Sequence, residues 1–210
     1  MRLFTKLKKN LRILLCRDVT RSFGLLEYFL AAQRARMANK LISKGSDYKI
    51  VLDIGCGSYP IFLLTSKFIE KYGLDKIHSS KQRLLKKFNL LNYDIENETK
   101  LPFEDEYIDV VTMLAVLEHI EPKNLVYLFT EVFRILKSNG KFIITIPSPW
   151  ADGILRSMVK LKLISALEID DHKLIFRNSD LLCNFEKAGF KHVNFGYFEF
   201  FMNRWFIGEK

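Results

Sequence analysis

The chain is poor in cysteine, in proline and in long apolar runs, and each shortage excludes a class of protein. Its three cysteines, Cys16, Cys56 and Cys183, lie far apart in 210 residues. They make neither a disulfide framework nor a metal-type cluster, so no metal site is expected and a reducing cytoplasm fits. No apolar run approaches the roughly 18 residues of a membrane span. The N-terminus is basic, but its charges interrupt the apolar positions, and no small-residue cleavage site follows, so a signal peptide is not expected. Only five prolines punctuate a chain that is 49% hydrophobic and contains 18 Phe. Such a composition is globular, and the length suits one α/β unit with a sizeable core.

Acidic residues are scarce at one end. Residues 1–50 hold 12 Lys or Arg and three acids, whereas residues 51–210 hold 21 of each sign. The formal charge of +9 therefore sits ahead of residue 51. The expected organisation is a basic helical arm or lid over residues 1–48 and a catalytic-type domain over residues 49–210. Leu3, Leu7, Leu11 and Leu14 recur at helical spacing among Lys6, Lys8, Lys9 and Arg12. Three uses compete for this segment: a lid over a pocket, contact of residues 1–22 with an anionic membrane surface, and nucleic-acid contact. The lid ranks first and nucleic acid last. A second helix is expected from about Leu25 to Ile42. It would have Leu26, Phe29, Leu30, Ala32 and Met37 on one face and Arg34, Arg36 and Lys40 largely on another.

The glycine pattern is the most informative part of the chain. Ile50-Val51-Leu52 runs into Asp53, then Gly55 and Gly57, then Pro60 and the apolar Ile61-Phe62-Leu63-Leu64. This reads as a buried parallel strand, a tight turn, and a helix beginning with proline. Such a turn brings backbone N–H groups close to a ligand because glycine has no Cβ. The dinucleotide fingerprint needs a third glycine at position 60, and Pro60 stands there. A nucleoside is therefore expected in place of NAD, with Asp53 suited to a cationic amino group nearby.

Leu52-Asp53-Ile54-Gly55-Cys56-Gly57 resembles the first motif of class I S-adenosylmethionine-dependent methyltransferases. The segments downstream follow that family's order through residue 147. Lys71–Asp75 reads as a second strand whose terminal acid, by the resemblance, accepts both ribose hydroxyls. Phe88–Tyr93 reads as a third strand. Asp94-Ile95, ahead of Leu101-Pro102-Phe103, resembles the segment whose acid meets the adenine amino group. Ile108–Leu114 reads as a fourth strand, followed by Leu117-Glu118-His119, where the family lines its methyl-donor pocket. Asp109 itself reads as an acid at the start of that strand, without ligand contact. A helix over Asn124–Leu136, a turn at Ser138-Asn139-Gly140 and a strand over Phe142–Ile146 follow. A helix is also expected within Ser157–Leu167. Another should run over Asn178–Lys187, capped by Asn178 or Ser179 and closed by Gly189. Val193–Phe201 and Trp205–Ile207 read as an antiparallel pair.

The resemblance implies a Rossmann-like, doubly wound α/β fold. Its seven-stranded sheet would be mostly parallel, with an antiparallel C-terminal strand pair. It implies S-adenosylmethionine as cofactor, held by Asp53, Gly55, Cys56, Gly57, Asp75, Asp94, Ile95 and Leu114. Motifs for methylating nucleic-acid bases are missing: Leu114-Ala115-Val116-Leu117 stands where a base-amino motif would fall, and no cysteine follows a proline. DNA is thus not an expected partner and RNA is a rival reading resting on the basic arm. A non-catalytic nucleoside-binding protein is the other rival. Arg17–Gly24 and Gln33-Arg34-Ala35-Arg36 resemble bacterial methyltransferases of surface-polysaccharide synthesis. The expected reaction is O-methylation of a small-molecule or glycan-type acceptor, in the cytoplasm or at the inner membrane surface. His119 and His172 are the candidate bases, because they fall where the family's acceptor pocket should lie.

Overall fold

The computed structural model describes residues 26–42, 47–76, 88–98, 100–161, 163–164 and 176–210. The expected basic helix in residues 1–22 and the candidate base His172 lie outside them. Seven strands form one sheet: β1 (Ile50–Ile54), β2 (Glu70–Asp75), β3 (Asn89–Asn92), β4 (Ile108–Leu114), β5 (Leu136–Pro147), β6 (Lys191–Phe198) and β7 (Asn203–Glu209). Their order is β3-β2-β1-β4-β5-β7-β6. All pairs from β3 to β5 are parallel, and β7 runs antiparallel to both β5 and β6. This is the expected fold class. The central strands β1 and β4 are mostly apolar and buried nearly throughout because both of their faces are covered.

Two helical layers cover the sheet. On one side α1 (Glu27–Ile42) and the short α2 (Ile61–Thr65) pack through Ala35, Ala38, Phe62 and Leu63 onto Val51, Val110 and Ile143. Small alanines let α1 approach the strands closely, so residues 27–42 share the sheet's core. The expected face of α1 needs correcting, because Phe29 is 52% exposed while Ala35 and Ala38 are buried. On the other side α3 (Leu125–Ile135) and α5 (Asn178–Ala188) bury Phe129 and Phe185 against Phe142. These rings meet edge-on or tilted, with centroids 5.0–5.5 Å apart. The remaining helix, α4 (Asp152–Lys160), packs on α1 through Leu155, Met158 and Val159.

Several local expectations differ from the structure for identifiable reasons. Ser138-Asn139-Gly140 lies inside β5, where the register with β4 shifts and Asn139 takes a left-handed φ of 65°. The turn chemistry is real, but it makes an irregularity within a strand and not its end. Asn178 does not cap α5: Arg177 is the N-cap, and Asp180 accepts its backbone N–H at 3.1 Å. The Asn178 amide is engaged elsewhere, by Arg204 and Tyr197. Gly189 closes the helix with φ 97°, as expected. Pro60 precedes α2 as its N-cap residue and is not its first helical residue. Strand β6 stops at Phe198, because Glu199, Phe200 and Phe201 all have positive φ (50°, 53° and 64°). High β-propensity of Phe masks this turn in the sequence.

Arg134 fastens the loop that leads into β4. Its guanidinium donates to both carboxylate oxygens of Glu131 at 2.8 Å and to the carbonyls of Phe103 (2.9 Å) and Leu101 (3.1 Å). Glu131 in turn accepts the Leu101 N–H at 2.9 Å. Arg134→Ala would leave a largely buried carboxylate and two carbonyls without their donor. We expect a loss of about 2–3 kcal/mol of unfolding free energy. Urea unfolding checks this, and an unchanged midpoint would mean that solvent replaces the bonds.

Candidate functional site

At the carboxyl ends of the parallel strands lies a cavity of about 320 Å³, within the range of small-molecule sites. The chain order reverses there: β2 lies on one side of β1 and β4 on the other. In an open α/β sheet this crevice is where ligands bind. The cavity is lined by Asp53, Gly55, Cys56, Gly57, Asp75, Asp94, Ile95 and Leu114, all eight expected cofactor residues, and by His119.

The turn after β1 is shaped by its glycines. Gly55 and Gly57 have φ of 72° and 71°, a region that side-chain-bearing residues avoid. A Cβ on Gly55 would also fall 2.3 Å from Val116 Cγ2, so the loop after β4 presses directly on this turn. The Gly55 N–H donates to the Leu74 carbonyl at 2.7 Å, which ties the turn to β2. Next, the Gly57 N–H donates to Asp75 Oδ2 at 2.8 Å. The acid at the end of β2 is thus aimed at the glycine turn. A carboxylate has about four lone-pair positions, so it can accept several hydrogen bonds at once.

Asp53 sits beneath the turn, 4% exposed, and accepts the Thr112 hydroxyl at 2.6 Å. Burial pushes its carboxyl up to about 7, against the lowering effect of the Thr112 bond, and the charge of Asp75 adds to the rise. Burial also pushes the Cys56 thiol well above its usual range, which disfavours the thiolate. Asp94 closes a turn in which its carboxylate accepts the Glu96 N–H at 3.1 Å and the Asn97 amide at 2.9 Å. His119 ends a short 3-10 turn (Leu117–His119) just past β4. Asp109 lies at the opposite end of β4 and accepts the N–H groups of Lys49 and Ile50 at 2.9 and 2.8 Å. It is the structural acid expected there.

The cavity also has lining that sequence reasoning missed. Arg34 reaches it from α1, and Tyr59, Tyr93 and Lys76 complete its wall. Arg34 was expected largely on the face of this helix opposite its apolar residues, since helical periodicity alone separates apolar from polar positions. Lys76 carries a faint signal, adjacent as it is to Asp75.

The glycine cradle, with the acid aimed into it, suits a nucleoside, and the comparisons agree. Residues 52–144 match a family described as "Methyltransferase domain". An uncharacterised protein of Methanocaldococcus jannaschii is 34% identical over 139 residues, covering 62% of this chain and 57% of that protein. The chain thus spans somewhat over half the length of the curated relative it matches. Among solved structures, an S-adenosylmethionine-dependent methyltransferase from Archaeoglobus fulgidus superposes with a TM-score of 0.67 at 20% identity, covering 88% of this chain and all of that one. Another, from Mesorhizobium loti, gives a TM-score of 0.64 at 15% identity, over 86% of this chain and all of that one. These two likenesses establish the fold, and S-adenosylmethionine is the cofactor that a methyltransferase domain of this kind implies. Among the described residues, no helix is long and apolar enough to cross a membrane.

Proposed function

We propose that the protein transfers a methyl group from S-adenosylmethionine to an oxygen of a small-molecule or glycan-type acceptor. The observation that carries this reading is one cavity that joins the glycine turn, Asp75 at the end of β2 and His119 at the exit of β4. The donor supplies an electrophilic methyl group on a sulfonium, with a thioether as leaving group. Asp75 would accept the ribose hydroxyls, Asp94 and Ile95 would line the adenine end, and Asp53 would face the cationic end. The acceptor hydroxyl would approach past His119, whose imidazole takes the hydroxyl proton as the oxygen bonds to carbon. Holding the oxygen in line with the breaking carbon–sulfur bond supplies much of the rate. The basic residues 1–22 would close the acceptor side and favour anionic surfaces, placing the enzyme in the cytoplasm or at the inner membrane face.

The raised carboxyl of Asp53 sets a pH dependence. With its ordinary value near 3.8 and its folded value about 7, the ligand-free fold retains a proton that the unfolded chain has lost. The stability this group contributes is present below about pH 4 and is lost as pH rises to about 7. A cationic donor favours the ionised carboxylate, so its affinity should have the opposite slope. Donor affinity is expected to rise up to about pH 7 and then level, and Asp53→Asn should flatten the curve. Calorimetric titration with S-adenosylmethionine across this range checks it. An equally steep curve in the variant would remove Asp53 from the cationic end.

A further inference from the structure

Exposed apolar side chains run from the tip of the β6–β7 hairpin onto α4. At the tip, Phe200 is 92% exposed and Phe201 65%. Their backbone is fixed in place: the Phe201 carbonyl accepts the Ser148 hydroxyl at 2.6 Å, and the Met202 carbonyl accepts the Ser148 N–H at 2.8 Å. Ser148 directly follows β5 and leads into the turn Pro149–Ala151, where Trp150 is 53% exposed. Helix α4 follows, with Leu155, Met158 and Val159 packed toward α1. Ile154 and Leu161 are seven residues apart, on one helical face, and both stay exposed, Leu161 at 70%. Arg156 and Lys160 are exposed on the same helix. Single exposed apolar residues need no explanation, but a run of five marks an interaction surface. Pro147 of β5 pairs with Asn203, and β5 runs parallel to β4, so the hairpin tip stands at the end of the sheet that holds the cavity.

We infer that Trp150, Ile154, Leu161, Phe200 and Phe201 form a face that docks on an anionic lipid bilayer. Two observations select lipid as the occupant. The first is charge. The core of a protein–protein interface is depleted of charged residues, lysine above all, whereas this face carries Arg156 and Lys160. Protruding aromatic rings with cationic heads beside them suit the membrane–water interface. The rings sit at headgroup level, and the cations meet anionic phosphates. The second is where the basic arm joins. The Leu26 N–H donates to the Leu163 carbonyl at 2.9 Å, two residues past Leu161. Residues 1–25, which hold seven Lys or Arg and one acid, therefore enter the fold at the end of this face. The inference extends the anionic contact proposed for residues 1–22 to a folded surface, and it stands apart from the methyl-transfer reading.

Tryptophan fluorescence and co-sedimentation of the full chain with vesicles test it. One set of vesicles mixes phosphatidylglycerol with phosphatidylcholine, the other is phosphatidylcholine alone, and in both the acyl chains of the phosphatidylcholine are brominated to quench tryptophan. We expect binding and quenching with the anionic set, and the quenching should be lost in Trp150→Phe while that variant still sediments. Phe200→Ser and Leu161→Ser should each lower partitioning by about fivefold or more, from apolar surface returned to water. Both side chains are exposed and lie on separate elements, so a folding defect in one leaves the other informative. Sedimentation without Trp150 quenching, and unchanged in both serine variants, would overturn the inference and leave the contact of residues 1–22 standing. No binding of the full chain to anionic vesicles would overturn both. Equal binding to phosphatidylcholine alone would overturn the anionic requirement, and a dimer in sedimentation velocity that Phe200→Ser dissociates would assign the face to a second copy instead.

Discussion

His119→Ala is expected to lower turnover by about 10²–10⁴-fold, the usual contribution of a positioned general base. The imidazole sits one short turn past β4, and His119 lines the cavity. If His119 is the base proposed above, its removal takes away the proton acceptor and leaves the glycine turn and Asp75 intact. Donor affinity should therefore stay nearly unchanged, so the loss appears in turnover and not in binding. Release of S-adenosylhomocysteine, followed across about pH 6–8 with saturating acceptor, is the measurement. A variant with full turnover over that range would show that positioning alone carries the rate. His172, the other candidate base, lies outside the described residues.

Asp75→Ala should weaken donor binding by about 2–4 kcal/mol, through the loss of charge-assisted hydrogen bonds to the ribose. That corresponds to roughly 30- to 1000-fold in the dissociation constant. The structure adds a second route to the same loss. The Gly57 N–H bonds to Asp75 Oδ2 at 2.8 Å, so the variant also frees the turn that must be preformed. Folding should change little, because Asp75 is half-buried at a strand end. Calorimetry with S-adenosylhomocysteine decides: an unchanged dissociation constant in a folded variant takes Asp75 out of the site.

Much of the site was legible because its residues sit at strand ends that the sequence marks twice. Each of the first three parallel strands ends in or just before an acid that lines the cavity: Asp53 in β1, Asp75 after Leu74 in β2 and Asp94 beyond β3. Gly55 announced itself for a similar reason. Positive φ and the close approach of Val116 both demand a residue without Cβ. Arg34 was hidden, because a helix with a polar face looks the same whether that face meets water or a cavity. The turn that ends β6 was hidden more deeply: it carries no glycine or proline, and its phenylalanines read as a continued strand. Asn178 was misjudged because capping preference is a local rule, and Arg204 on β7 captures its side chain from a distance, at 2.6 Å. Local chemistry thus marked the cavity residues at the strand ends, while Arg34 joins the cavity wall from α1 only in the fold.

The central claim is that this cavity holds the methyl donor and not a dinucleotide. Titration calorimetry of the full chain against S-adenosylmethionine, S-adenosylhomocysteine and NAD tests it most directly. The account predicts saturable binding of the first two and none of NAD. Binding of NAD without binding of either sulfur-containing nucleoside would contradict it.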